Sequence, residues 1–86
     1  MLAAFDTPSD SRRRQLTRLL SGYGVRVQRS VFRLQGTEVE VQRLWSALER
    51  VTVPDEDLLL MVRVGAGSWR QAGLLNSLEV PLTRVF

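Results

Sequence analysis

Four apolar residues, Leu2-Ala3-Ala4-Phe5, run into a single carboxylate, Asp6, and this opening stretch, Met1 to Asp6, reads as a buried strand despite the weak strand preference of Ala3 and Ala4. Pro8 and Ser9 then mark a helix start, with Ser9 at the N-cap and Pro8 just outside. Leu16, Leu19 and Leu20 recur at helical spacing, and Gly22 and Gly24 stop the helix. From Val25 to Leu34 the β-branched residues predict strand, but the alternation slips. Val25 and Val27 share one parity while Phe32 and Leu34 share the other, so a bulge or a tight break is expected around Arg29 and Ser30. Thr37-Glu38-Val39-Glu40 is a capping box, and Val41, Leu44, Trp45, Leu48 and Val51 continue as the apolar stripe of a second helix. An acidic turn, Asp55-Glu56-Asp57, precedes a strongly apolar strand from Leu58 to Val64. Gly65-Ala66-Gly67 breaks the pattern, and residues 68–78 show no clear period. Glu79 to Phe86 reads as one more strand, notched by Pro81 and therefore suited to an edge.

The order βαββαβ predicts an α+β protein in which two helices pack on one face of a mostly antiparallel sheet, the ferredoxin-like arrangement, with an extra C-terminal strand. Residues 1–64 would form the core. Residues 65–86 would form an extension whose strand pairs with the sheet of a second copy. That fold hosts many activities, so function has to be sought in particular side chains.

Composition narrows the chemistry. The chain has 86 residues, 44% of them hydrophobic, enough for one small folded domain of the kind that often gains stability by self-association. It contains no cysteine and no histidine. Disulfide and thiol chemistry are therefore excluded, and no imidazole is available as base, acid or metal ligand. A serine–histidine nucleophile is excluded with them. The apolar run Leu58 to Val62 is too short to span a bilayer, and Met1 to Asp6 does not have the form of a signal peptide, so a cytoplasmic protein without a membrane partner is expected.

The net charge is +3, but its distribution says more than its size. Seven arginines fall between Arg12 and Arg33 without one acid, whereas residues 38–57 hold six of the nine acids against two arginines. Arg12, Arg13, Arg14, Arg18, Arg26, Arg29 and Arg33 should thus make a basic face with no carboxylate to neutralise it. Guanidinium groups of that kind grip phosphates and point to a nucleic acid. Asp6 has two readings. From its spacing alone it is better taken as a cap for the first helix or its turn than as a metal ligand. Asp10 suits the dipole of the first helical turn, and Asp55 to Asp57 suit a solvated turn. Ser30 is expected to make a backbone hydrogen bond at the strand break. Trp45 is expected in the core, and Trp69 is a candidate contact with a partner chain.

The segment Phe5-Asp6-Thr7-Pro8-Ser9-Asp10 with Arg12-Arg13-Arg14, followed by Gly22-Tyr23-Gly24, Arg26-Val27-Gln28 and Ser30-Val31-Phe32, resembles the CRISPR-associated Cas-two family. The likeness covers about the first 35 residues closely and agrees in element order to Val64. It departs in a short stretch before Asp6, in a tail from Gly65 onward without a diagnostic motif, and at two single positions. Phe5 stands where the family usually has tyrosine, and Arg33 stands where it usually has glutamate.

The resemblance implies a small ferredoxin-like homodimer that acts in spacer acquisition with the Cas-one integrase, bridging two integrase dimers and holding duplex DNA along its arginine face. It implies an endonuclease activity dependent on magnesium, with manganese an alternative and RNA a second substrate class. It also reverses the reading of Asp6, which occupies the position of the family's metal-binding, catalytic aspartate. A twofold axis would bring two Asp6 side chains face to face. Arg13 and Arg26 match family positions, and Phe5, Ser30 and Phe32 fall among residues the family keeps near its active region. Two other classes stay open: a purely structural DNA-binding adaptor, and a ferredoxin-like toxin ribonuclease or RNA-binding module.

Overall fold

The computed structural model describes residues 1–65 and 72. Six elements follow one another: β1 (Leu2–Asp6), α1 (Asp10–Ser21), β2 (Gly24–Gln28), β3 (Val31–Leu34), α2 (Glu38–Val51) and β4 (Leu58–Val62). The four strands form one antiparallel sheet in the order β2-β3-β1-β4, which with two helices is the ferredoxin-like α+β architecture. The expected strand at Glu79–Phe86, Trp69 and most of the proposed 65–86 extension lie outside the described residues.

Local chemistry sets the element boundaries. The Ser9 hydroxyl accepts a hydrogen bond from the Arg12 amide at 3.1 Å, satisfying one of the orphan donors that open α1. Thr37 and Glu40 close the capping box on α2: the Glu40 amide donates to the Thr37 hydroxyl at 3.2 Å, and the Thr37 amide donates to the Glu40 carboxylate at 2.8 Å. The slip in alternation has both of the forms expected for it. A tight turn at Arg29–Ser30 separates β2 from β3, and their register shifts between Arg26 and Gln28. That bulge takes Val27 out of the alternation, so Arg26 sits opposite Phe32 and Val25 opposite Arg33. At the other end of the hairpin Gly24 lies against β3 so closely that a Cβ there would fall 2.0 Å from the Arg33 carbonyl oxygen.

The core lies between the sheet and the helices. Ala3 and Phe5 of β1, Phe32 and Leu34 of β3, Leu16 and Leu20 of α1 and Leu44 and Leu48 of α2 are all buried. Alternation along β1 therefore sends Ala3 and Phe5 to the helices and Leu2, Ala4 and Asp6 to the opposite face. Among the described residues that second face is open. Leu58, Leu60 and Val62 of β4 lie on it, each about half exposed or more.

Trp45 departs from the expectation of a core position. It is only half-buried and lines a surface depression with Val41, Met61 and Arg63, because its side of α2 overlies β4, the outermost strand among the described residues. No helix among the described residues is long and apolar enough to cross a membrane.

Candidate active site and nucleic-acid interface

Asp6 is the last residue of β1, paired with Leu58 across the sheet, exposed, and directed to the open face. The capping role that its spacing suggested belongs instead to Ser9. No described residue donates a hydrogen bond to the Asp6 carboxylate, and none lies in an ion pair with it. Such a carboxylate keeps its full capacity for a cation. No group of three or more acidic, histidine or cysteine side chains gathers among the described residues, however, so they do not build a many-ligand metal site within one copy. Magnesium retains several waters and accepts few protein ligands, so one carboxylate from each of two copies fits its habits.

The backbone on either side of Asp6 is held firmly. On the strand side the Phe5 amide donates to the Ser30 carbonyl at 3.1 Å, the backbone role expected of Ser30, and the Phe5 ring is buried. On the loop side Thr7 is buried, and its hydroxyl accepts from the Ser9 amide at 3.2 Å and donates to Asp57. The Thr7 carbonyl accepts from Arg13 Nη2 at 2.8 Å.

Asp57 corrects the picture of a solvated acidic turn. Its side chain is fully shielded from solvent. It accepts from Arg12 Nε at 2.7 Å, from Arg12 Nη2 at 3.2 Å and from the Val53 amide at 2.8 Å. Burial pushes its pKa upward. The hydrogen bonds from Thr7, Val53 and Arg12, together with the charge of Arg12, outweigh that push and hold the carboxyl at about 2 instead of 3.8.

The arginines divide into three groups. Arg13, Arg14, Arg18, Arg26 and Arg29 line one depression of about 420 Å³, with Thr17 beside them, where the solvent side of α1 meets β2 and the hairpin turn. Arg14 and Arg18 stand one helical turn apart, and Arg26 lies over the Phe32 ring at 5.7 Å. Within that group Arg13 has an acidic partner, Asp10, while Arg14, Arg18, Arg26 and Arg29 have none among the described residues. Arg12 is turned away to Asp57 and Glu56, so the expectation of seven unpaired arginines is corrected for it and for Arg13. Arg33 sits opposite Leu2 and Val25, on the open side of the sheet. Phe5 and Phe32 are buried, which removes both as platforms for stacking a base.

Sequence reasoning gave Thr7 no role of its own and read Asp57 only as part of a solvated turn. Their signal is the β1–β4 register, since Asp6 opposite Leu58 carries on to Thr7 opposite Asp57.

A family model described as CRISPR associated protein Cas2 matches residues 1–72. Among curated relatives, the CRISPR-associated endoribonuclease Cas2 3 of Synechocystis is 33% identical over 81 residues, 94% of this chain and 86% of the relative. The CRISPR-associated endoribonuclease Cas2 of Thermus thermophilus is 41% identical over 59 residues, 69% of this chain and 63% of the relative. Two crystal structures share the fold. A hypothetical protein, TT1823 of Thermus thermophilus, superposes with a TM-score of 0.80 at 34% identity, over 86% of this chain and 89% of its own. Cas2 of Streptococcus pyogenes, solved at pH 6.5, gives 0.70 at 26% identity, over 74% and 83%.

Proposed function

This chain belongs to the family of CRISPR associated protein Cas2, and from that premise we propose that it is a CRISPR adaptation protein that binds duplex nucleic acid and cleaves phosphodiesters at Asp6. One observation carries the reading. A carboxylate that is exposed and has no partner among the described residues stands on an apolar sheet face, and Arg13 links the loop behind it to a depression lined by five arginines.

A second copy of this chain covers the open face. Leu58, Leu60 and Val62 are costly to leave in water, and pairing about a twofold axis on that face brings two Asp6 side chains together. The two carboxylates would hold a magnesium or manganese ion, which supplies an acidified water and draws charge from the phosphate. With no histidine in the chain, the protons move through water. The arginine depression grips backbone phosphates and so gives affinity without reading sequence. Duplex DNA is the adaptation substrate on this reading, with the dimer bridging two Cas-one integrase dimers. The endoribonuclease activity in the relatives' names supports cleavage of RNA at the same site.

Asp6→Asn tests the chemistry. Wild type should cleave RNA or duplex DNA in magnesium or manganese, and the variant should bind as tightly while losing cleavage. A variant that cuts like wild type would remove Asp6 from the mechanism. The lack of a three-ligand group among the described residues favours one other reading, a DNA-binding adaptor without chemistry. Failure of the wild type to cleave in either metal, with binding retained, selects it.

A further inference from the structure

We propose that Asp57 and Arg12 are positioning residues that fix the direction in which Asp6 presents its carboxylate, and that Arg12 serves this task in place of phosphate binding. The proposal rests on the reading of Asp6 above and adds the device that aims it.

Three segments meet at the Asp57 carboxylate. Thr7 donates from the loop that follows Asp6, Arg12 from the first turns of α1, and Val53 from the turn between α2 and β4. Glu56 in the same turn takes the remaining contact of Arg12 at 2.7 Å. The Thr7 hydroxyl is used twice, toward Ser9 and toward Asp57, and its carbonyl is taken by Arg13. Asp6 therefore stands between a residue locked to Ser30 and a residue locked to Asp57 and Arg13. The side chain in the middle is exposed and has no described partner, while the polar groups behind it are engaged.

Stability alone is a poor reason for this arrangement. A buried ion pair loses much of its attraction to desolvation, and apolar residues of similar volume often hold a fold as well. An aimed carboxylate is a better reason, because a ligand that must meet its twin across an axis tolerates little angular error. The geometry also separates Arg12 from the other arginines of its run. Its Nε and Nη2 are committed to two carboxylates, whereas Arg14, on another side of the same helix, opens into the basic depression.

Asp57→Asn is the main test, because it keeps the side chain's volume while removing the charge that holds Arg12 and one of the two oxygens that Arg12, Val53 and Thr7 share. Arg12→Gln and the conservative Arg12→Lys complete the set. Cleavage kinetics in magnesium should show kcat falling about ten- to hundred-fold in Asp57→Asn and Arg12→Gln. KM and the salt dependence of binding should stay within about twofold of wild type, and Arg12→Lys should recover part of kcat. Backbone 15N relaxation should show residues 6–8 loosened in the same variants, with the helices unchanged. An unchanged kcat in a folded variant overturns the proposal. So does a salt dependence that weakens with Arg12→Gln, which would return Arg12 to the phosphates. Should wild type not cleave, the nuclease reading fails by itself, and the relaxation measurement still decides the positioning: residues 6–8 as rigid in Asp57→Asn as in wild type refute it. Where Asp57→Asn does not fold, Arg12→Lys and Arg12→Gln carry both readouts.

Discussion

Replacing Arg14 and Arg18 together by glutamine asks whether the basic depression binds phosphate. Four of its arginines, Arg14, Arg18, Arg26 and Arg29, have no acidic partner among the described residues. Each phosphate neutralised on a duplex contributes about 0.9 to the slope of log affinity against log salt, so four give a slope near −3.6 per copy in contact. Between roughly 50 and 200 mM salt that slope weakens binding about 150-fold. With two arginines removed, the slope falls to about −1.8 and the loss over the same range to about 12-fold.

Fluorescence anisotropy of a labelled duplex, titrated at four or five salt concentrations, measures both numbers. The same series with a single-stranded RNA compares the two substrate classes. Folding supplies an internal control. Two like charges four residues apart on α1 cost the helix roughly 0.2–0.5 kcal/mol, so the double variant should melt no lower than wild type. A slope unchanged by the double substitution would refute phosphate binding at this surface. A variant that binds weakly at every salt and also melts early would point to lost structure.

Two further outcomes test the framework around the site. Asp57 has its carboxyl held at about 2 instead of 3.8, so its contribution to stability is complete above about pH 5 and is lost as the pH falls through 2. Urea midpoints of wild type and Asp57→Asn should differ by a constant amount from pH 7 to about 5, then draw together as the pH falls through 2; a gap as wide at pH 2 as at pH 7 would contradict this. Gly24→Ala drives a methyl group into the Arg33 carbonyl, where backbone cannot retreat without opening the β2–β3 hairpin, and should cost about 3 kcal/mol, seen as a Tm lower by at least about 10 °C.

Much of this architecture was legible because it is local. Ser9 and Thr37 cap their helices through amides three residues on, and both signals stand in the sequence as written. The slip in parity between Val27 and Phe32 announced the break that separates β2 from β3. The cluster of arginines was legible as a charge pattern, but its membership was not. Arg12, Arg13 and Arg14 look alike as neighbours, and only Arg14 proves free of an acidic partner among the described residues.

By itself, the sequence determined which elements form, where α1 and α2 begin, and that a carboxylate ends the first strand close to a concentration of guanidinium groups. Tertiary structure alone decided that Arg12 reaches Asp57, 45 residues away, that Trp45 lies beside Met61 of β4, the outermost strand among the described residues, and that Asp6 shares a face with Leu58, Leu60 and Val62. Caps and alternation are written in residues a few positions apart. The partner of a long side chain is set by which strands pair and in what register, and here the pairing of β1 with β4 placed a buried carboxylate behind an exposed one.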